Sequence, residues 1–291
     1  MEEVVEVVAR DGLALSATWF ISETPHEKVI LINGATGVKQ DYYANFAAWL
    51  ALRGFNVYTF DYRGIGNSRP KNLRHLLSDM KDWSKDLDAM ISHIGRVHPR
   101  SQLAILGHSV GGQLVGMSQL SRHADALVMI GAQTPYWKNY EGFWMRLKLL
   151  TFWYAIIPFF TNLAGYFPAS IFGLFEDLPA NVARQWSRWA KNRNYIFDEL
   201  PEDRRNFEAL CQCTLMISFS DDTLAPRRAV LELSGLYKNL KFDHWHLQPE
   251  DVNQNKVGHF GFFKKRMETV LWRDTVRWIY KTLSAQKKKA A

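Results

Sequence analysis

Ser109 stands between two glycines at the end of an apolar run, in the stretch "AILGHSVGGQ" of residues 104–113. The run predicts a buried strand, and the residues after the serine have helical spacing. A strand that turns into a helix so abruptly brings positions 107 and 111 close together, and glycine has no Cβ to collide there. The serine at the apex takes a strained backbone geometry that projects its Oγ, and the following helix presents its positive end to a developing negative charge. The pattern predicts a nucleophilic serine, with an ordinary strand-to-helix turn as the alternative.

A nucleophilic serine needs a base, and that base needs an acid to orient it. Asp221 and Asp222 follow the apolar run "TLMISFS", and His259 lies in the glycine-flanked stretch "KVGHFGFF" before the last helix. The carboxyl ends of parallel strands share one edge of a sheet, so these side chains are expected to converge on Ser109. Adjacent residues point in different directions, and therefore only one of the two aspartates can reach His259.

The elements that must position these residues alternate between strands and helices. Asp11 and Gly12 predict a hairpin between the first two strands. The later strands are predicted from the runs "KVILIN", "FNVYTFDY", "QLAILGHS", "DALVMIGA", "TLMISFS" and "LKFDHWHL". Strands that alternate with helices predict a mainly parallel sheet covered on both faces, an α/β fold. The alternation stops between residues 133 and 210, so we expect a core domain of residues 1–132 and 211–291 with residues 133–210 inserted as a helical cap, or lid.

The inserted segment is rich in aromatic residues, since residues 136–197 hold 18 of the 40 Phe, Trp and Tyr residues of the chain. A small helical cap needs large side chains to build a core of its own. The same side chains could also roof an apolar acyl pocket, because ligand sites have mostly hydrophobic walls. The two interpretations are compatible, and the sequence leaves both open.

One part of this segment, residues 149–167, has the length of a membrane span. Pro158, Thr161, Asn162 and Gly165 interrupt it, and aromatic residues occur throughout rather than only at its ends. These features favour a helical lid over a span. A lid that touches a membrane is the third interpretation.

Composition limits the class of protein. The chain has 291 residues, 47% hydrophobic and 22% charged, as in a soluble globular protein rather than a disordered one. Its net charge of +7 includes the tail "KKKAA", expected to be a solvated terminus, and no basic helix stripe or nucleic-acid motif accompanies that charge. We therefore expect no nucleic-acid partner. The opening "MEEVVEVVAR" lacks the apolar core of a signal peptide and predicts a cytoplasmic protein; the oligomeric state stays open.

Several polar residues have simple structural interpretations. Cys211 and Cys213 are predicted to lie in one strand, buried and reduced. His244 and His246 share a strand face without a third ligand, so no metal and no cofactor are expected. Position alone predicts the roles of two further sets. The acidic residues early in one helix are expected to serve the helix dipole, and the basic residues at helical spacing in the inserted segment are expected to form a solvated face. These sets are Asp82, Asp86 and Asp88, and Arg184, Arg188, Lys191 and Arg193.

With these residues in place, the chain resembles the α/β-hydrolase superfamily over nearly its whole length. The stretches that carry the resemblance are "LINGATGVKQDYY", "FDYRGIGNS", "GHSVGG", "SDDTLAP" and "GHFGFF", and they are most similar to a bacterial branch of predicted serine hydrolases with a helical lid. The resemblance implies the α/β-hydrolase fold, with an eight-stranded sheet, a lid after the sixth strand, and a triad of Ser109, Asp222 and His259. It favours Asp222 over Asp221 because the acid commonly stands four residues before a proline, here Pro226.

The resemblance also implies an oxyanion hole of two backbone N–H groups. One comes from Val110, the residue after the nucleophile. The other comes from the loop after "VILIN", where relatives carry His-Gly and this chain has Asn33-Gly34. The N–H that follows belongs to Ala35, and Thr36 is the second candidate.

The expected activity is that of a serine hydrolase that cleaves an ester or thioester with an apolar acyl group through an acyl-enzyme. Its partner is then a small-molecule acyl substrate. Three alternatives stay open: an acyltransferase, a peptidase, and a catalytically silent binding protein on the same scaffold.

Overall fold

The computed structural model describes residues 1–24, 27–173 and 175–290, with side chains up to residue 286, so the tail "KKKAA" lies outside the described side chains. An eight-stranded sheet forms its centre, with the order β1-β2-β4-β3-β5-β6-β9-β10. The first two strands form an antiparallel hairpin, β2 pairs antiparallel with β4, and the other pairs are parallel. The predicted mainly parallel eight-stranded sheet is confirmed. Its strands are β1 Glu2–Val8, β2 Ala14–Phe20, β3 Lys28–Asn33, β4 Asn56–Phe60, β5 Gln102–His108, β6 Ala126–Ile130, β9 Cys213–Phe219 and β10 Lys241–Leu247.

Helices cover both faces of this sheet because its central strands are apolar on both sides. Along β3 and β5, Leu31 and Ile105 belong to one buried cluster, whereas Ile32 and Leu106 belong to the other. The first cluster includes side chains of α2, α3 and α8, and the second includes side chains of α1 and α9. Burial on two faces explains why these strands read as continuous apolar runs. The helices of the core are α1 Ala44–Ala51, α2 Met80–Val97, α3 Val110–Met117, α8 Arg227–Leu236 and α9 Arg273–Ala290.

The inserted segment, residues 133–210, is mostly helical but also contains a short two-stranded antiparallel sheet, which the sequence did not predict. A continuous helix runs from Phe143 to Ala164. It contains a π turn at Phe152–Ile156, where the rings of Phe152 and Trp153 pack against Trp186. The elements of the segment are α4 Phe143–Thr151, α5 Ile157–Ala164, β7 Tyr166–Phe167, β8 Leu178–Pro179, α6 Ala180–Lys191 and α7 Arg204–Ala209.

Asp82 alone of the three acidic residues early in α2 serves the helix end, where it forms a capping box with Asp79. Asp86 is fully buried, and its carboxylate accepts hydrogen bonds from the Arg63 backbone N–H at 3.0 Å and from Arg63 Nε at 2.7 Å. Burial raises the pKa of Asp86 to about 6, while the Arg63 guanidinium opposes that change. The helix-dipole interpretation of Asp86 was therefore wrong, because the residue fixes the loop after β4.

Asp88 also has another role. It accepts hydrogen bonds from the Ser118 hydroxyl and from the Leu120 N–H. Ser118 has an extended backbone and ends α3 there. The helix that the sequence predicts after Ser109 therefore ends at Ser118, because the Asp88 side chain from α2 binds the groups that a longer helix would have used.

The two cysteines differ from their prediction as well. Both are free, Cys211 is exposed and Cys213 is half-buried. The strand β9 begins only at Cys213, so Cys211 lies in the preceding loop and the assumption of one shared buried strand was wrong.

Candidate active site

Ser109 occupies the tight turn between β5 and α3. Its backbone has φ 53° and ψ −118°, a left-handed geometry that is strained for any residue with a side chain. The flanking glycines make the turn possible: a Cβ on Gly107 would lie 2.6 Å from the Gly112 nitrogen, and a Cβ on Gly111 would lie 2.0 Å from the Asn33 carbonyl oxygen. The Ser109 N–H donates to the Ile130 carbonyl at 2.9 Å, which ties the turn to the end of β6.

His259 and Asp222 meet at the same edge of the sheet. His259 Nδ1 lies 2.7 Å from Asp222 Oδ2, and both residues are buried. The other carboxylate oxygen, Asp222 Oδ1, accepts the backbone N–H groups of Leu224 and Ala225, each at 2.9 Å. Since a carboxylate only accepts, His259 Nδ1 carries the proton of this hydrogen bond, and Nε2 is the nitrogen left for chemistry.

Asp221 points elsewhere. Its carboxylate accepts the Val257 N–H at 2.8 Å and the Gly258 N–H at 3.0 Å, and so it holds the loop that carries His259. The structure places Asp222, not Asp221, against the imidazole.

Ser109 and His259 are linked through the residue before the serine. His108 Nε2 lies 3.0 Å from the His259 carbonyl oxygen, and the two imidazole rings are 5.1 Å apart between centroids. Within the described residues, the Ser109 hydroxyl makes no hydrogen bond to the His259 ring. Catalytic hydrogen bonds of this kind are often long in structures without a ligand and shorten when substrate binds.

The His108 ring belongs to a buried chain of hydrogen bonds whose directions are fixed by its ends. The Ala35 N–H donates to Tyr43 Oη at 2.8 Å, and Tyr43 Oη lies 2.9 Å from His108 Nδ1. A carbonyl cannot donate, so His108 Nε2–H donates to His259 and His108 Nδ1 accepts from the Tyr43 hydroxyl. Burial lowers the pKa of His108 well below its usual range and raises the pKa of Tyr43, so both are neutral. This series of hydrogen bonds joins the loop after β3, the turn at Ser109 and the loop that carries His259.

These hydrogen bonds change which backbone N–H groups are available to bind the oxyanion. The Ala35 N–H, expected from the sequence to bind the oxyanion, already has Tyr43 Oη as its acceptor. Ala35 is therefore not a free donor in this structure. The next N–H, that of Thr36, has no acceptor among the described residues, and the Val110 N–H lies in the first turn of α3, where a helix has no partner for it.

Asn33 stands where the family resemblance implies a histidine, and its side-chain amide has two hydrogen-bond partners. Asn33 Nδ2 donates to the Gly111 carbonyl at 2.7 Å, and Asn33 Oδ1 accepts from the Tyr62 hydroxyl at 2.7 Å. Tyr62 also contacts the Gly34 carbonyl at 3.1 Å. The side chain therefore ties the loop after β3 to the nucleophile turn.

Comparison with known proteins gives the same fold. The protein resembles the DcsB chain solved in complex with a substrate analogue, with a TM-score of 0.68, 18% identity and coverage of 98% of this chain and 100% of that one. It also resembles the Pyrococcus furiosus esterase Pf2001, with a TM-score of 0.64, 16% identity and coverage of 97% and 91%. A family model described as serine aminopeptidase, S33, matches residues 23–165. The structural likeness shows that the chain has the α/β-hydrolase fold.

Curated relatives match only part of this chain. The uncharacterized protein YfhR of Escherichia coli K12 is 32% identical over 116 residues, which are 38% of this chain and 39% of that protein. The monoacylglycerol lipase of Mycolicibacterium smegmatis is 29% identical over 97 residues, 33% of this chain and 34% of that protein. The alignments thus span well under half the length of these relatives.

A cleft of about 320 Å³ opens beside Asp222 and His259. Its lining includes Asp222, His259, Phe260, Lys256 and Lys264, but not Ser109. The cleft therefore lies along the loop that carries His259 rather than over Ser109.

Sequence reasoning missed some residues of this site and misjudged others. His108 and Tyr43 lie within the motifs that carry the family resemblance, but their types alone do not say which groups they join. The one signal in the sequence was Asn33, at a position where the family resemblance implies a histidine. His244 Nε2 and His246 Nδ1, considered above as metal ligands, both contact the Ser218 hydroxyl, at 2.9 and 2.8 Å.

Proposed function

We propose that this protein is a serine hydrolase that cleaves a carboxylic ester or thioester, with Ser109 as nucleophile, His259 as general base and Asp222 as the acid that orients it. The observation that carries the proposal is the 2.7 Å contact between His259 Nδ1 and Asp222 Oδ2 at the sheet edge where Ser109 occupies a strained turn. The likeness to the esterase of Pyrococcus furiosus and to monoacylglycerol lipases supports the same class of reaction.

The reaction begins when Ser109 Oγ attacks the substrate carbonyl and its proton passes to His259 Nε2. Asp222 stabilises the imidazolium that forms, because its Oδ2 accepts the proton on Nδ1. The tetrahedral intermediate collapses, the alcohol or thiol leaves with the proton from His259, and an acyl-enzyme remains. Water activated by His259 then splits the acyl-enzyme and regenerates Ser109.

The developing oxyanion needs two donors at the nucleophile turn, and we assign them to the N–H groups of Val110 and Thr36. Val110 follows the nucleophile at the start of α3, where the helix end favours negative charge. Thr36 is preferred over Ala35 because the Ala35 N–H is hydrogen-bonded to Tyr43. Loss of one such donor typically costs roughly 3 to 4 kcal/mol of barrier.

An apolar acyl group is the substrate preference that we propose. The inserted segment contributes a cluster of buried aromatic side chains, among them Trp153, Phe167 and Trp189. It approaches the loop after β3 directly, because the Glu176 N–H donates to the Gly37 carbonyl at 2.9 Å. An apolar segment beside the oxyanion loop would favour apolar acyl chains over charged ones.

The nucleophile is tested with Ser109→Ala and the matched control Ser121→Ala. Ser121 is also buried, and its hydroxyl has no hydrogen-bond partner within the described part of the chain, so its removal should change little. We expect a fluorophosphonate probe to label the wild type and Ser121→Ala but not Ser109→Ala. Hydrolysis of p-nitrophenyl esters should fall by about 10⁴-fold or more in Ser109→Ala alone. Labelling that persists in Ser109→Ala would refute the assignment.

The substrate is tested with p-nitrophenyl esters of increasing acyl length. We expect kcat/KM to rise with acyl length, and a preference for short acyl groups would contradict the apolar preference while leaving the nucleophile assignment intact. Product partition with and without an added alcohol separates hydrolysis from acyl transfer.

A peptidase is the second candidate, because the matching family model is described as a serine aminopeptidase. An amino-acid p-nitroanilide compared with the corresponding ester decides between them. Faster cleavage of the anilide would favour the peptidase.

A further inference from the structure

The helix Phe143–Ala164 exposes an apolar surface that the proposed hydrolase chemistry does not use. Among the described residues, it is the one helix that is long and apolar enough to span a bilayer. Only 17% of its most apolar 18-residue window is buried. Its exposed large side chains form one strip, called here the exposed ridge. The ridge consists of Phe143, Trp144, Leu147, Tyr154, Phe159 and Leu163.

The spacing of these residues keeps the ridge on one face of the helix. Intervals of three, four and seven residues return to the same side of an α-helix. The interval of five between Tyr154 and Phe159 crosses the π turn at 152–156, where the wider turn adds one residue. Trp144, Phe159 and Leu163 are 78%, 60% and 72% exposed, and an apolar patch of this kind marks an interaction surface.

The opposite face of the same helix is bound into the fold. Trp153 is buried, and its carbonyl accepts the Ser187 hydroxyl at 2.6 Å. Arg184 reaches across to the Thr161 carbonyl at 3.2 Å and to the Thr161 hydroxyl at 3.1 Å. A helix held in this way cannot leave the protein to cross a bilayer without exposing those polar groups to lipid. The helix can, however, lie on a surface with its ridge outward.

The charge around the ridge identifies the kind of surface. The helix Phe143–Ala164 contains two basic residues, Arg146 and Lys148, and no acidic residue. Two acids that follow it are paired with bases of the core, Glu176 with Lys39 at 3.0 Å and Asp177 with Arg69 at 3.1 Å, and Arg188 is paired with Glu199 at 2.7 Å. Lys148 lies on the exposed helix itself, and Lys191 Nζ is 4.7 Å from the centre of the Tyr154 ring. Positive charge beside exposed aromatic and aliphatic side chains is complementary to anionic headgroups over acyl chains.

We propose that the exposed ridge docks this protein on the surface of a bilayer that contains anionic phospholipids. The helix lies parallel to the surface, with the ridge at the boundary of headgroups and acyl chains and the lysines among the headgroups. This docking goes beyond the hydrolysis proposed above and does not depend on it.

The test is co-sedimentation of the full chain with sucrose-loaded vesicles of phosphatidylcholine, alone or mixed with phosphatidylglycerol. We expect binding to the mixed vesicles that weakens as salt is added. The triple variant Trp144→Ser/Phe159→Ser/Leu163→Ser should partition more weakly, by about tenfold for each side chain removed. These side chains are exposed, so the variant should fold as the wild type does.

A matched control removes exposed apolar side chains outside the ridge. Val4→Ser/Leu52→Ser/Leu231→Ser should bind vesicles as the wild type does, because these residues lie on β1, after α1 and on α8. Both triple variants keep the basic tail, so a difference between them cannot come from it.

Charge is tested separately with Lys148→Gln/Lys191→Gln. We expect about fivefold weaker binding to the anionic vesicles for each lysine and no change with phosphatidylcholine alone. The exposed pair Lys71→Gln/Arg100→Gln is the matched control and should bind more tightly than the lysine pair.

Three results would overturn the proposal. In the first the wild type binds no vesicle, and in the second the ridge variant binds as the wild type does. A wild-type dimer that becomes a monomer in the ridge variant, without vesicle binding, would assign the ridge to a second copy. Binding is measured without turnover, so a failure of ester hydrolysis would refute the proposed activity and leave docking intact.

Discussion

Tyr43→Phe removes one hydroxyl and tests the chain of hydrogen bonds behind the nucleophile. The hydroxyl is the only acceptor of the Ala35 N–H within the described structure and the donor to His108 Nδ1. All three residues are buried, so water cannot replace the lost partner without a change in packing. The ring itself stays, packed edge-on against Phe263 at 4.8 Å between centroids, and no cavity forms.

The cost follows from the two groups that lose their partner. A buried polar group without a hydrogen bond costs roughly 1 to 3 kcal/mol, so the variant should lose about 2 to 6 kcal/mol of unfolding free energy. Urea unfolding measures this loss as a lower midpoint with an unchanged slope. Tyr42→Phe is the matched control, because the half-buried Tyr42 hydroxyl serves a single acceptor, the Phe260 carbonyl. That variant should lose only about 1 kcal/mol.

The same variant tests the oxyanion assignment. Tyr43→Phe leaves the Ala35 N–H without its acceptor. If Thr36 and Val110 bind the oxyanion, kcat on a p-nitrophenyl ester should not rise when Ala35 is released. An increase in kcat would show that Ala35 is a donor and that Tyr43 masks it. A loss of unfolding free energy below about 0.5 kcal/mol would show that the Tyr43 hydroxyl does not hold the two hydrogen bonds described here, since leaving two buried polar groups without partners costs more than that.

Two further predictions concern the acid and the buried histidine. Asp222→Asn should lower kcat by about 10⁴-fold, since the amide disturbs the tautomer of His259. Asp221→Asn should leave the pH–rate profile unchanged and lower the stability of the fold instead. Equal losses of kcat in the two variants would contradict the assignment of Asp222. The pKa of His108 is lowered in the folded state, so below about pH 6.5 the unfolded chain binds a proton that the folded chain does not. The free energy of unfolding therefore decreases as the pH is lowered, by up to about 1.4 kcal/mol per pH unit. In His108→Gln this contribution is absent, and urea midpoints between pH 7.5 and 5 should show a smaller acid loss than in the wild type; parallel curves would refute a neutral buried His108.

The sheet could be read from the sequence because each central strand is a short apolar run bounded by turn signals. The nucleophile turn could be predicted in part for a related reason, since Gly107 is required by its contact with Gly112, within the same turn. Gly111 is required instead by the carbonyl of Asn33 at the end of the neighbouring strand, a contact that only the fold shows.

The buried polar contacts could not be predicted from the sequence because their partners are far apart along the polypeptide. Asp86 stands where an acid usually serves the helix dipole, and only the fold shows that Arg63 reaches it. The Ala35 N–H was similarly expected to be free, but the fold places the Tyr43 hydroxyl against it as an acceptor. A donor in a loop is available to substrate only when no buried acceptor lies nearer, and residue types do not reveal that distance.

In the proposed mechanism, the chain of hydrogen bonds also determines which histidine can serve as the base. His108 is next to Ser109 in sequence, but Tyr43 holds its Nδ1 and the His259 carbonyl holds its Nε2. Both nitrogens are occupied, and burial favours the neutral ring, so His108 has no lone pair to receive a proton from the nucleophile. His259 differs in one respect that matters: Asp222 holds Nδ1, while Nε2 has no partner within the described structure. A base must offer a free nitrogen and keep a stabilising acceptor for the proton it already carries, and of these two rings only that of His259 meets both conditions.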